Sequence, residues 1–166
     1  MGEKQKFIVK NLAYEGLLDY KHFFRIMDFW FRDKFYDKSE KLNEEFVGPQ
    51  GKFMEFEFVP WKKVTDFWKI VIKVEGKISN LRPVVVNIGG KEERMHHGKV
   101  NLRVTGYLNA DYKQRHNKAL SYFLRDLFDK YIYHHVTTKY YAMVVDHVTE
   151  LVNVLEAYLN MTPKKE

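Results

Sequence analysis

One property limits the fold of this chain more than any other: its hydrophobic period changes partway along. In Phe53–Phe58, Phe67–Val74 and Val100–Leu108 apolar residues alternate with polar ones, the pattern of strands that bury one face and wet the other. Trp68, Ile70, Ile72 and Val74 share one side, with Lys69 and Lys73 on the other. Val100, Leu102, Val104, Gly106 and Leu108 form a second such face, opposed by Asn101, Arg103, Thr105 and Tyr107. Strands of this kind pair antiparallel, because parallel sheets are buried on both faces. From about Lys113 the period becomes 3.6. Leu120, Leu124, Leu127 and Tyr131 make one helical stripe; Tyr141, Val144, Val148, Val152, Leu155 and Leu159 make another.

Local signals place the remaining elements. Lys6 to Tyr14 is rich in β-formers and reads as a strand ending near Gly16. Asp19 then caps a helix that the apolar spacing carries to about Tyr36. Gly48-Pro49-Gln50-Gly51 is a turn, Leu81 to Ile88 a strand with Pro83 at its edge or start, and Gly89-Gly90 a tight hairpin. The run His134-His135-Val136-Thr137-Thr138 is poor helix material and predicts a break or kink. Together these give an α+β fold: an antiparallel meander of about 5–6 strands, with an N-terminal helix and a long or bent C-terminal helical region packed on one face. A single domain covers residues 1–166, with 1–5 and 162–166 as frayed tails.

That element order resembles the helix-grip fold of the START and Bet v 1 superfamily. The resemblance implies a curved sheet wrapping the last helix around an apolar cavity, although the C-terminal helical region is longer here than a single gripping helix. The segments GKFMEFEFVPWKKVTDFWKIVIKVEGKI and FLRDLFDKYIYH resemble a group of small archaeal proteins of unknown function. This second resemblance implies an archaeal cytosolic origin and supplies no activity.

Composition narrows the function. Cysteine is absent, which removes thiol catalysis, Cys-ligated metal and any disulfide framework, and fits a reducing cytoplasm. No stretch approaches the roughly 20 apolar residues of a membrane span. Met1–Lys6 lacks a signal-peptide core, and Lys6 stands where myristoylation needs Ser or Thr. A cytoplasmic location is expected. Lys and Arg number 28 against 22 Asp and Glu, a net charge of +6 spread evenly, so folding must assemble any basic patch.

Aromatic residues make up 16% of the chain, and position decides whether they fill a core, line a cavity or stack on bases. On the first helix Tyr20, Phe23, Phe24, Met27, Trp30, Phe31 and Phe35 fall on one broad face and read as core. The opposite face carries His22, Arg25, Phe29, Arg32 and Tyr36. Guanidinium groups offer planar donors to phosphate, and an exposed ring stacks on a base. The plainer alternative packs this face under a loop or pairs its arginines with carboxylates such as Asp28.

A second patch lies on the wet sheet face: Phe67, Lys69, Lys73, Arg103 and Tyr107. Sheet faces of this composition bind single-stranded RNA in RRM-type domains. The RNP motif of those domains is missing, which excludes that family. The plainer alternative is charge pairing, with Glu57 opposite Lys69 across a hairpin around Lys62 to Thr65.

Signals for catalysis are few. Glu55 and Glu57 stand about 7 Å apart on one strand face, a spacing that carboxylate pairs use, but the alternation points them to water. No Gly-x-Ser-x-Gly, Walker A, Gly-x-Gly-x-x-Gly or His-Glu-x-x-His sequence occurs. His96-His97 and His134-His135 are adjacent pairs without ligand spacing, and His147 with Glu150 reverses the Glu-x-x-His order of di-iron bundles. The reading is a binding module rather than an enzyme, with no cofactor and no metal. Its favoured partner is RNA or a ribonucleoprotein, held by Arg25, Phe29, Arg32, Tyr36, Lys69, Lys73, Arg103 and Tyr107. Two rivals stand beside it: a helix-grip-like carrier of a small apolar ligand, and a structural or homo-oligomerising subunit whose Tyr140–Leu159 helix serves a partner.

Overall fold

The computed structural model describes residues 4–37, 40–65, 68–110 and 133–161. Its elements in chain order are β1 (Lys4–Leu18), α1 (Tyr20–Asp33), β2 (Glu40–Gly48), β3 (Gly51–Phe58), β4 (Trp61–Lys63), β5 (Trp68–Ile88), β6 (Lys91–Ala110) and α2 (Tyr133–Met161). The strands form one antiparallel sheet in the order β1-β6-β5-β3-β2, with β4 beside β5. The α+β arrangement expected from the period change is the one found.

Two strand boundaries differ from the sequence reading. Residues 67–74 and 81–88 read as separate strands, yet β5 runs unbroken from Trp68 to Ile88. The alternation resets inside it because β5 bulges against β6 between Ser79 and Arg82, with Asn80 left-handed at φ 55°. One extra residue moves the inward positions from Ile78 to Leu81. β2 carried no readable signal because it is an edge strand, exposed from Asn43 to Gly48, with no buried face to impose alternation.

β3 and β4 are one bent strand. Phe58 pairs with Val74 and Trp61 with Val71 in unbroken register, and the Ile72 N–H donates to the Pro60 carbonyl at 2.9 Å. Pairing is interrupted only where Pro60 has no N–H to give. This register also corrects the expected Glu57–Lys69 pair: Glu57 faces Glu75, and Lys69 faces Lys63.

Both helices cover the inner face. α2 lies along β1 and β6 and buries Val144, Val148, Leu151, Val152, Leu155 and Leu159, each contributing about 1.5–3 kcal/mol before entropy. Gly106 marks the closest approach. A Cβ there would sit 2.5 Å from Val144 Cγ1 and 2.9 Å from Val148 Cγ2, so helix and strand meet only over a glycine. α2 passes through His134–Thr138 without the expected break, because weak propensity yields to a helix with a long buried stripe. Tyr141, expected in that stripe, is exposed. Phe67 and the stripe from Leu120 to Tyr131 lie outside the described residues.

α1 begins as expected, with Asp19 Oδ1 accepting from the His22 N–H at 3.2 Å. Phe23, Met27, Trp30 and Phe31 are buried, and Phe24 meets Phe56 edge-on at 4.9 Å. The helix ends three residues earlier than its apolar spacing suggests. The Tyr36 N–H donates to the Phe31 carbonyl at 2.8 Å and the Phe35 N–H to the Arg32 carbonyl at 3.1 Å, the two bonds of a Schellman motif. The residue this motif places in the left-handed conformation is Phe35, at φ 64°, where glycine is usual.

Candidate nucleic-acid interface

The Schellman turn reverses the expected fates of two neighbouring rings. Helical spacing placed Phe35 in the core and Tyr36 on the exposed face. Phe35 is instead 81% exposed, and Tyr36 is 6% exposed, its ring 5.9 Å from Phe31. Left-handed backbone costs a residue of this size about 1–2 kcal/mol, and its ring gains little burial in return. Upstream on α1, Arg25, Phe29 and Arg32 are exposed as expected, Phe29 to 72%.

Past the turn, the chain docks on β4. The Asp37 N–H donates to the Trp61 carbonyl at 2.8 Å and the Trp61 N–H returns to the Asp37 carbonyl at 2.9 Å. This bridge places Lys62 Nζ 5.8 Å from the centre of the Phe35 ring. Trp61 is 37% exposed and lies under Lys69, whose Nζ is 5.2 Å from the indole centre. Each ring thus carries a cation within cation–π range.

Residues that face one another across strands share a side of the sheet. On the outer side one row reads Trp61, Val71, Tyr107, Lys6, and the next reads Lys63, Lys69, Asn109. Val71, between the two rings of the first row, is only 5% exposed although it faces outward. In the second row Lys63 and Lys69 stand directly opposite each other.

Towards the middle of the sheet the two signs balance. Lys73 lies 3.6 Å from Glu57 and 3.5 Å from Glu75, and the two carboxylates oppose each other in register. Partial burial works against the Lys73 charge, yet Glu75 and Glu57 hold its pKa above the ordinary lysine value. Arg103 stands opposite Glu75. A shallow cleft of about 460 Å³ here is lined by Glu55, Glu57, Glu75, Lys77 and Arg103 among others.

The inner side of the same corner is a partly buried polar network. The Tyr36 hydroxyl is 2.7 Å from His147 Nδ1 on α2, and the Trp30 indole stacks at 5.9 Å over Tyr36. Trp30 Nε1 donates to Glu150 at 3.4 Å, and Lys34 pairs with the same carboxylate at 3.2 Å. Burial pushes the Tyr36 hydroxyl pKa well up. Burial, then Lys62 and Lys34, push the His147 pKa down, against the opposite pull of Glu150 and Asp146. The neutral imidazole and the neutral hydroxyl share this one hydrogen bond.

Of the eight residues singled out from sequence, Lys69 and Tyr107 lie in the outer rows, and Arg25, Phe29 and Arg32 lie exposed along α1. Lys73 and Arg103 fall among carboxylates, and Tyr36 turns inward. Phe35, Trp61, Lys62 and Lys63 were not singled out. The run Trp61-Lys62-Lys63, an indole beside two cations, was the signal for the last three; Phe35 had none. Among the described residues no helix is long and apolar enough to cross a membrane. The chain matches no family model and no curated protein.

Proposed function

We propose that this protein is a non-enzymatic binding module for an anionic polymer, RNA or a ribonucleoprotein, engaged through the corner where α1 meets β4. One observation carries the reading. At the Phe35–Lys62–Trp61–Lys69 corner two exposed rings each lie beside a lysine, at the edge where the chain leaving α1 docks on β4. Cations and exposed rings at adjoining positions suit phosphates and bases at adjoining positions. The net charge of +6 supports the same partner.

Salt dependence tests it. Arg32, Lys62, Lys63 and Lys69 contribute positive charge, partly offset by Asp33 and Asp37 in the same corner. About three to four phosphates neutralised give a log–log salt slope of roughly −2 to −3 for a single strand. Fluorescence anisotropy with a labelled 12-nucleotide RNA is expected to show affinity falling about 15- to 60-fold between 50 and 200 mM salt. No binding at 50 mM salt, or an affinity indifferent to salt, disproves the reading.

The carrier alternative draws on the helix-grip-like element order. The packing of α2 against Gly106 weighs against it, because Val144 and Val148 bring helix and strand into direct contact there.

A further inference from the structure

We infer that the polymer is single-stranded nucleic acid that passes over the β4 edge, setting one base against Phe35 and another against Trp61. The inference rests on the reading above and specifies its substrate class.

The two rings stand on different sides of one short strand. Trp61 shares the outer face with Val71, whereas its neighbour Lys62 alternates to the other side and reaches the Phe35 and Tyr36 rings. A ligand touching both rings must turn across the edge and keep Lys62 at the bend. Double-stranded nucleic acid is stiff over about 150 base pairs and presents stacked bases with no free faces. A single strand bends at every nucleotide and offers each base for stacking.

The charge pattern directs the path. From Lys69 along the outer face the strand would meet Glu57, Glu75 and Glu55 around the shallow cleft. Those carboxylates match Lys73, Lys77 and Arg103 one for one and leave phosphate no net attraction there, whereas the route over β4 leads to Lys62 and Arg32. The geometry is also preorganised. The Asp37–Trp61 bridge and the Schellman bonds fix both ring-bearing segments before any ligand arrives. Phe35 keeps an unfavourable backbone and an 81% exposed ring together, and strain of this kind gathers where a site needs it.

Trp61 supplies a reporter, because Trp30 and Trp68 are each 5% exposed. The experiment is a tryptophan-fluorescence titration at 50 mM salt with rU12, dT12 and a 12-base-pair duplex. The expected result is quenching by the single strands and at least about tenfold weaker binding of the duplex; rU12 against dT12 reads which backbone is preferred. Affinities of the variants are followed by anisotropy. Trp61→Ala and Phe35→Gly are each expected to lower single-strand affinity about fivefold or more, the ordinary loss for a stacked base. Phe35→Gly suits the left-handed backbone, so the loss cannot be ascribed to misfolding. Equal affinity for duplex, or ring variants that bind as well as the parent while Lys62→Glu and Lys69→Glu bind weakly, overturns the edge crossing and leaves the anionic-polymer reading standing. Failure of all three probes to bind overturns both.

Discussion

Phe35 and Tyr36 are consecutive aromatic residues on opposite sides of one corner, and their surroundings differ in almost every respect. Tyr36 is buried, stacked on Trp30 and hydrogen-bonded to His147 across to α2. Phe35 is exposed and left-handed, with a lysine over its ring. The inner side satisfies its polar groups with protein partners. The outer side leaves rings and cations facing solvent. Lys62 belongs to both, since its Nζ lies 5.9 Å from the Tyr36 ring as well as 5.8 Å from that of Phe35. The inner residues hold the corner in shape, and that shape presents the outer ones.

The largest expected effect separates the two sides by stability. Tyr36→Ala empties a buried aromatic site and strips His147 of its hydrogen-bond partner, and is expected to cost about 3–5 kcal/mol in urea unfolding. Trp61→Ala on the other side should stay within about 0.5–1 kcal/mol and lose affinity instead. A comparable stability loss at both positions would abolish the division between scaffold and surface.

How much of this was legible in the sequence depends on whether a residue's surroundings are local. The alternation in Trp68–Val74 and Val100–Leu108 gave the inner sheet face because burial of one face imposes it directly. Asp19 as helix cap was equally readable, being decided within three residues. The helix end was not. Periodicity extrapolates at 100° per residue and has no term for a Schellman turn without glycine, so it exchanged Phe35 and Tyr36. Register was likewise hidden: the hairpin joining β4 to β5 lies further along the chain than Lys62–Thr65, which moves Glu57 from Lys69 to Glu75. The corner itself depends on that register and on the Asp37–Trp61 bridge, neither of which leaves a mark in composition.

A smaller effect sharpens the contrast by changing sign. Phe35→Gly removes about 1–2 kcal/mol of left-handed strain, and the freer unfolded chain offsets roughly 0.5–1 kcal/mol of it. The variant is expected to be more stable by about 0.5–1 kcal/mol while binding single strands less well, the trade-off typical of a residue retained for contact rather than for folding. A variant that melts lower than the parent would mean that the exposed ring supports the corner after all.

The smallest effect follows from His147, which is only half-buried and partly screened by solvent. Its folded pKa is depressed by burial and by Lys62 and Lys34, so the unfolded chain takes up the proton more readily than the folded one. The stability it contributes is complete above the ordinary histidine value of 6.5 and is lost as the pH falls through the folded value. His96 acts in the same direction: its pKa is lowered by burial and by Lys21 and Lys52, against Asp19. The melting temperature should therefore hold steady above pH 7 and fall between about pH 7 and 5, above the range where most carboxylates titrate. His147→Gln keeps a hydrogen-bonding partner for the Tyr36 hydroxyl and removes the titration, so it should flatten part of that slope, and the further change His96→Gln should flatten more. Melts at pH 5.5, 6.5 and 7.5 decide it. An unchanged slope in His147→Gln would mean that the tyrosine–histidine bond tolerates protonation, and the inner side of the corner would then be no more tightly specified than the outer.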